Sequence, residues 1–149
     1  MAFVPEDFDP PRRLATDRFV LEPLGPEHNE RDYVAWTSSM DHIRSTPGFA
    51  DWDWPHDMPL EANLRDLERH ARDFADRTGF TFTVLDPADD DVIGCLYLYP
   101  AKDDDHDVSA RSWVRASHAD LDVPLWESVT AWLAADWPWT NPSYAPRSP

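Results

Sequence analysis

Residues 51 to 57 read Asp51-Trp52-Asp53-Trp54-Pro55-His56-Asp57. Carboxylates alternating with indoles are the materials of a cation site: the acids supply charge and the ring faces supply a negative quadrupole, so an ammonium group can sit between them. The same two indoles could instead pin an irregular loop to a core, and the sequence leaves both readings open. A second stretch runs from Arg115 to Pro124 and opens a helical segment through Ser117-His118-Ala119-Asp120-Leu121-Asp122. A helix start presents free N–H groups and the positive end of the dipole, which suits phosphate. Here no glycine follows Gly94, and two aspartates stand at the helix mouth. One such carboxylate ~4 Å from a phosphate, at an effective dielectric near 20, costs on the order of 4 kcal/mol.

Other chemistries are poorly supported. The six histidines include the short pairs His56-Asp57, His106-Asp107 and His118-x-Asp120, but none has the spacing of a structural zinc site. They read as surface residues, and no metal is expected. Cys95 is the single cysteine, so no intrachain disulfide can form, and its apolar neighbours mark it as a buried, inert thiol. No Gly-x-Ser-x-Gly elbow supports a serine nucleophile.

A chain of 149 residues with 42% hydrophobic and 13% aromatic content can bury a core. The formal net charge is −16, and Lys102 is the only lysine among 13 basic residues. That balance excludes nucleic acid and an anionic membrane surface as direct partners, since both need a basic face. It suits a basic protein or a cationic amine, although charge of this size also serves solubility alone. The bias toward aspartate fits a GC-rich genome or a salt-adapted cytosol equally. No apolar stretch reaches the length of a membrane span, and Arg12-Arg13 leads into Leu14-Ala15-Thr16-Asp17 rather than a signal core, so a cytoplasmic protein is expected.

The elements that must position these residues follow from periodicity. Residues 1–16 are rich in Pro and acid and read as a loosely ordered arm, with residues 17–149 as one domain. Arg18 to Pro23 is a short strand. Tyr33, Val34, Trp36, Met40 and Ile43 recur at helical spacing until Thr46-Pro47-Gly48 stops them. Leu60, Leu64, Leu67, Ala71 and Phe74 mark the clearest helix, opened by Pro59 and closed by Gly79. Phe80–Leu85 and Val92–Tyr99 form an antiparallel hairpin. Val108 to Ala116 is a third strand, with Val108, Ala110, Ser112 and Val114 on one side and Arg111, Trp113 and Arg115 on the other. A helix follows, with Asp122 as N-cap and Pro124 in its first turn. Leu125, Trp126, Val129, Trp132 and Leu133 form its apolar face, and residues 143–145 read as a last short strand. Such an order predicts an α+β fold with a mixed, mostly antiparallel central sheet flanked by helices.

This order of elements, together with Arg18-Phe19-Val20-Leu21-Glu22-Pro23-Leu24, the hairpin Phe82–Asp86 and Asp91–Leu96, and Trp113-Val114-Arg115, resembles the GNAT N-acetyltransferase superfamily over about residues 18 to 145. The resemblance implies acyl transfer from acetyl-CoA to an amine, with a small amine or a protein N-terminus as acceptor. It implies that the coenzyme lies where two central strands splay apart, a parting expected between Tyr97–Tyr99 and Arg111–Val114. The pyrophosphate would sit on a Q/R-x-x-G-x-G/A loop formed here by Val114, Arg115, Leu121, Asp122, Val123 and Pro124. Arg115 matches the first position, whereas His118 and Asp120 stand where glycines belong. The acceptor would meet Asp51, Trp52, Asp53 and Trp54. Glu22 and Asp107 are the candidates for general base, with Ser109 or Ser112 to support a water, and Tyr144 falls nearest the family's thiolate-protonating tyrosine. The family's strand series is expected to be truncated after about the fifth, leaving a wall that a homodimer partner could complete. The alternative is a non-catalytic scaffold that has lost its coenzyme and uses the open side to dimerise or bind a basic partner.

Overall fold

A computed structural model describes residues 2–148. Ten elements follow in order: β1 (Leu14–Ala15), β2 (Val20–Pro23), α1 (Asn29–Thr37), α2 (Met40–Arg44), α3 (Leu60–Ala75), β3 (Phe80–Leu85), β4 (Val92–Tyr99), β5 (Val108–Val114), α4 (Asp122–Asp136) and β6 (Pro142–Tyr144). Short 3-10 turns at Pro26–His28 and Ala116–Leu121 lead into α1 and α4. The strands form one six-stranded sheet in sequence order, antiparallel except for the β5–β6 pair. The mixed, mostly antiparallel sheet flanked by helices is the architecture the sequence predicts.

Alternation along the strands divides the core in two. Phe80, Phe82, Val84, Leu96, Leu98, Val108, Ala110 and Val114 face α4 and meet Leu125, Val129, Trp132 and Leu133. Leu85, Cys95, Tyr97 and Trp113 face the other way, where Trp36, Ile43, Phe49 and Leu67 cover them. Cys95 is fully buried there, and burial pushes its thiol up. Three of the four C-terminal tryptophans, Trp132, Trp137 and Trp139, are core residues rather than an exposed patch.

Several expectations change. The arm is not loose: Val4 is buried in the α4-side core, Phe3 stacks on Trp139 at 4.8 Å, and Leu14–Ala15 pairs with β2. The helix expected to run unbroken through Ile43 stops after Thr37, because the hydroxyls of Thr37 and Ser38 bond back to the carbonyls of Tyr33 and Ala35 and Ser39 leaves helical geometry. Val34 and Leu60, placed on apolar faces by spacing, are exposed. His28 is not a surface residue. It is buried, and its ring accepts from the Gly25 N–H through Nδ1 and donates to Glu22 through Nε2.

The parting of strands is also elsewhere. β4 and β5 are knitted together from Gly94↔Val114 to Tyr99↔Ser109, so Tyr97–Tyr99 and Arg111–Val114 do not diverge. Gly94 permits that approach, since a Cβ there would lie 2.5 Å from the Trp113 carbonyl oxygen. The sheet opens between β5 and β6, whose parallel pairing stops at Ala110↔Tyr144. The reason is local. Continuing the register would set Pro146 opposite Ser112, and a proline has no N–H to give the ladder.

Candidate functional site

One large cleft, about 690 Å³, opens on the side of the sheet away from α4. Its floor is the cleft-facing side of β4 and β5: Tyr97, Tyr99, Ser109 and Arg111. One wall is α3, through Asn63, Asp66, Leu67, Arg69 and His70. The other is the irregular segment between α2 and α3, through Trp52, Asp53, Trp54, His56 and Met58. The segment has no regular secondary structure and is held by its indoles, by Arg44 donating to the Pro55 carbonyl at 2.8 Å and by Tyr33 donating to the Met58 carbonyl at 2.7 Å. Trp52 and Trp54 lie 5.5 and 6.4 Å from the Tyr97 ring, and Trp54 is 6.0 Å from Trp113. Thus both uses of these tryptophans coincide, as loop anchors and as cleft walls.

The polar groups of the cleft are built from both sides. Asp32 of α1 is buried, and burial pushes its carboxyl up to about 6 against the hydrogen bond from Asn63. Asn63 is fully engaged, donating to Asn29 at 2.8 Å and Asp32 at 3.1 Å while accepting from the Trp36 indole at 3.0 Å. On α3, His70 Nδ1 lies 2.9 Å from the Tyr99 hydroxyl and 3.0 Å from that of Thr81. The Tyr99 hydroxyl donates to Asp73 at 2.8 Å, so its oxygen faces Nδ1 as an acceptor. With the Tyr99 proton given to Asp73, a proton on Nδ1 satisfies the Tyr99 oxygen, and that tautomer leaves the lone pair on Nε2. Nε2 has no partner among the described residues and is not sealed in the protein. Burial and the neighbouring Arg69 hold His70 down to about 4, which keeps the ring neutral near pH 7.

Arg111 is the complementary feature. Its guanidinium stacks on Trp52 at 4.4 Å. Nε donates to the Gly48 carbonyl at 2.9 Å and Nη1 to Ser109 at 3.3 Å. Gly48 has φ of +99°, a conformation that favours glycine and aims that carbonyl. No carboxylate approaches Arg111 within 4.0 Å among the described residues, although Asp51 raises its charge stability from further away.

The residues expected from sequence are scattered by comparison. Trp52, Asp53 and Trp54 line the cleft, while Asp51 is exposed beside Arg111. Glu22 lies outside it, occupied with His28. Asp107 accepts from the backbone N–H groups of Thr140 and Asn141 and so builds the turn into β6. Tyr144 is on the α4 side of the sheet. Its hydroxyl meets Ser112 at 2.5 Å, and burial pushes it up to about 12. Sequence reasoning passed over Asp32, His70, Tyr97, Tyr99 and Arg111. A signal existed for His70, three residues after buried Leu67 and four before buried Phe74 on the same helix.

The six residues of the helix-mouth group are together but engaged. Val114 and Leu121 belong to the core, and Val123 and Pro124 form the half-buried first turn of α4. Arg115 donates to Asp91 at 3.2 Å, with its Nε buried and without a partner. Asp122 is not an N-cap: it is the first residue of α4 and makes no capping bond. Its carboxylate accepts from Arg147 at 3.0 Å. Arg147, only 6% exposed, also donates to the Ser112 carbonyl at 2.8 Å and to Ala145 at 2.8 Å. It therefore supplies the donor that Pro146 cannot, inside the parting of β5 and β6. A coenzyme would fit this parting only by drawing Arg147 away from Asp122.

No protein-family model matches the sequence, and no characterised protein matches it at significant similarity. Solved structures do match. A ribosomal-protein-S5-alanine acetyltransferase from Vibrio fischeri superposes with a TM-score of 0.64 at 12% identity, over 83% of this chain and 67% of that one. A GNAT-family acetyltransferase from Bordetella pertussis gives 0.58 at 20% identity, over 83% and 71%. A spermidine N-acetyltransferase from Vibrio cholerae, solved with CoA and spermine, gives 0.54 at 13% identity, over 78% and 64%. Such identities speak for architecture, and they agree on it: the chain has the fold of the GNAT N-acetyltransferases.

Proposed function

We propose that this protein is an N-acyltransferase whose acceptor, a small amine or a protein N-terminus, binds in the cleft between α3 and the 51–58 segment, with acetyl-CoA as donor. The observation that carries the reading is the cleft itself, in which carboxylates, aromatic faces and an unprotonated imidazole nitrogen converge on one side of the sheet. Acetyl-CoA supplies an acyl group activated as a thioester. The chain's own residues do the rest. Trp52, Trp54 and Tyr97 offer ring faces to a cationic amine, and Asp53 and Asp66 offset its charge. The nucleophile must be the neutral amine, because its lone pair forms the new C–N bond as the C–S bond breaks. Its surplus proton needs an acceptor within hydrogen-bond reach. His70 Nε2 and the Asp32 carboxyl are placed in the cleft to take it, in place of the general-base candidates Glu22 and Asp107.

A second reading rests on a separate observation. The Arg147–Asp122 pair stands at the mouth of α4 where an anion would otherwise be drawn, which favours a scaffold that binds an amine or a partner without a coenzyme. Titration calorimetry with acetyl-CoA separates the two. Transfer requires measurable heat with the native chain and acetylated product from a primary amine. No heat at millimolar ligand, for the native chain and for Arg147→Ala alike, overturns the transfer reading.

A further inference from the structure

The cleft carries two unspent groups of opposite demand. At the α3 wall, His70 Nε2 is a lone pair held open by the Asp73–Tyr99 chain behind it. A hydrogen-bond donor such as an amine N–H satisfies it. At the opposite side, Arg111 is a cation without a carboxylate partner, held flat against Trp52 and anchored to Gly48. Its remaining amine, Nη2, makes no hydrogen bond among the described residues and is not sealed in the protein. Between them lies Tyr97, whose ring is 5.8 Å from that of His70 and which pairs across the strands with Arg111. Of the other charges lining the cleft, Arg69 is near Asp66 and Asp73, Asp32 is held by Asn63, and Asp53 and Lys102 are exposed.

We propose that the acceptor of this cleft is an amine that also bears a carboxylate, with Arg111 binding the carboxylate, His70 Nε2 accepting from the amine and Tyr97 and Trp52 packing against its apolar remainder. The proposal rests on the amine-binding reading above and narrows it to amino-carboxylate compounds. Two electrostatic filters support it. A simple cationic amine meets the unpaired Arg111 charge, which repels it and gains nothing from it. A simple carboxylate meets the field of a chain with a net charge of −16. A zwitterion has no net charge to be repelled at long range and satisfies both ends at short range, where charge-assisted hydrogen bonds are strong. Arginine suits this role because its planar fork matches a carboxylate while its face stays on the indole.

Calorimetry on the full chain tests the proposal with three probes that share a phenyl ring: L-phenylalanine, 2-phenylethylamine and 3-phenylpropionate. The expected result is that phenylalanine binds roughly tenfold or more tighter than either of the others. Arg111→Gln should bring phenylalanine down to the level of phenylethylamine, and Arg111→Lys should keep part of the preference. His70→Ala should weaken phenylalanine and phenylethylamine and leave phenylpropionate unchanged. Thermal unfolding of each variant shows that it is folded, and the native preference stands as a test should a variant fail. Phenylethylamine binding as tightly as phenylalanine, an Arg111→Gln protein that keeps the preference, or no binding of any probe would overturn the assignment. None of these measurements uses acetyl-CoA. An intact preference without acetylation would therefore sink only the transfer reading.

Discussion

The cleft and the β5–β6 parting flank the same strand, β5, and they are finished in opposite ways. On the cleft side, Arg111 has its guanidinium on an indole and no carboxylate to meet, and His70 presents a bare nitrogen. At the parting, Arg147 joins the Ser112 carbonyl to the Asp122 carboxylate. One region leaves polar groups without a partner among the described residues, and the other uses the chain's own side chain to satisfy them. The difference follows from access: a polar group shut away from water gains from a partner within the chain, whereas one that faces a cleft stays available to a ligand.

The strongest way to break this contrast is to open the closed region. Arg147→Ala leaves Asp122 and the Ser112 carbonyl without their partner, and loss of about 3 kcal/mol of stability is expected, since breaking one half of a buried pair costs that much or more. Urea denaturation measures it. Adding Asp122→Asn should recover part of the loss, because the remaining charge is removed. A negligible effect of Arg147→Ala would mean that the parting is solvated and not sealed.

The open region is tested by pH. Asp32 has its carboxyl raised from 3.8 to about 6, so the folded chain holds a proton that the unfolded chain has released, and stability falls as pH rises through that window. His70 is lowered from 6.5 to about 4, so the unfolded chain takes the extra proton, and stability falls as pH drops through that window. Each shift corresponds to on the order of 3 kcal/mol, with opposite sign. The native chain should therefore be nearly flat between about pH 4 and 6.5 from these two groups. Asp32→Asn should lose stability on acidification, and His70→Gln should lose it on alkalinisation. Parallel curves for both variants would show that the two groups are not buried as described.

Smaller effects sharpen the picture. Trp52→Ala removes the face on which Arg111 lies, and about 1 kcal/mol of ligand affinity should go with it, read as a severalfold weaker calorimetric binding constant. The Thr83 hydroxyl is buried without a partner on the cleft-facing side of β3. Thr83→Val should be neutral or stabilising by up to about 1 kcal/mol and leave ligand binding unchanged. A loss of binding there would show that the cleft depends on that hydroxyl.

The legible parts of this molecule are those governed by local periodicity. The alternation of Val108, Ala110, Ser112 and Val114 against Arg111 and Trp113 placed β5 correctly between two layers, and the stripe through Leu67 and Phe74 placed α3. Less legible were features decided by competition. Serine and threonine hydroxyls compete with the helix at Ser38–Ser39, and an arm rich in proline is ordered because Val4 is buried in the core and Phe3 stacks on an aromatic ring more than a hundred residues away. Glu22 and Asp107 read as free carboxylates because nothing in their immediate sequence shows that a buried histidine and a turn would claim them.

The sequence by itself determined the kinds of element, their order along the chain and the scarcity of glycine at the helix mouth, because period and backbone freedom are properties of neighbouring residues. Only the tertiary structure decided which polar groups would be spent and which left free. That choice depends on approaches between residues distant along the chain, Arg147 to Asp122 and Ser112, Tyr99 to His70, Arg111 to Trp52, and no local pattern encodes which of them will meet.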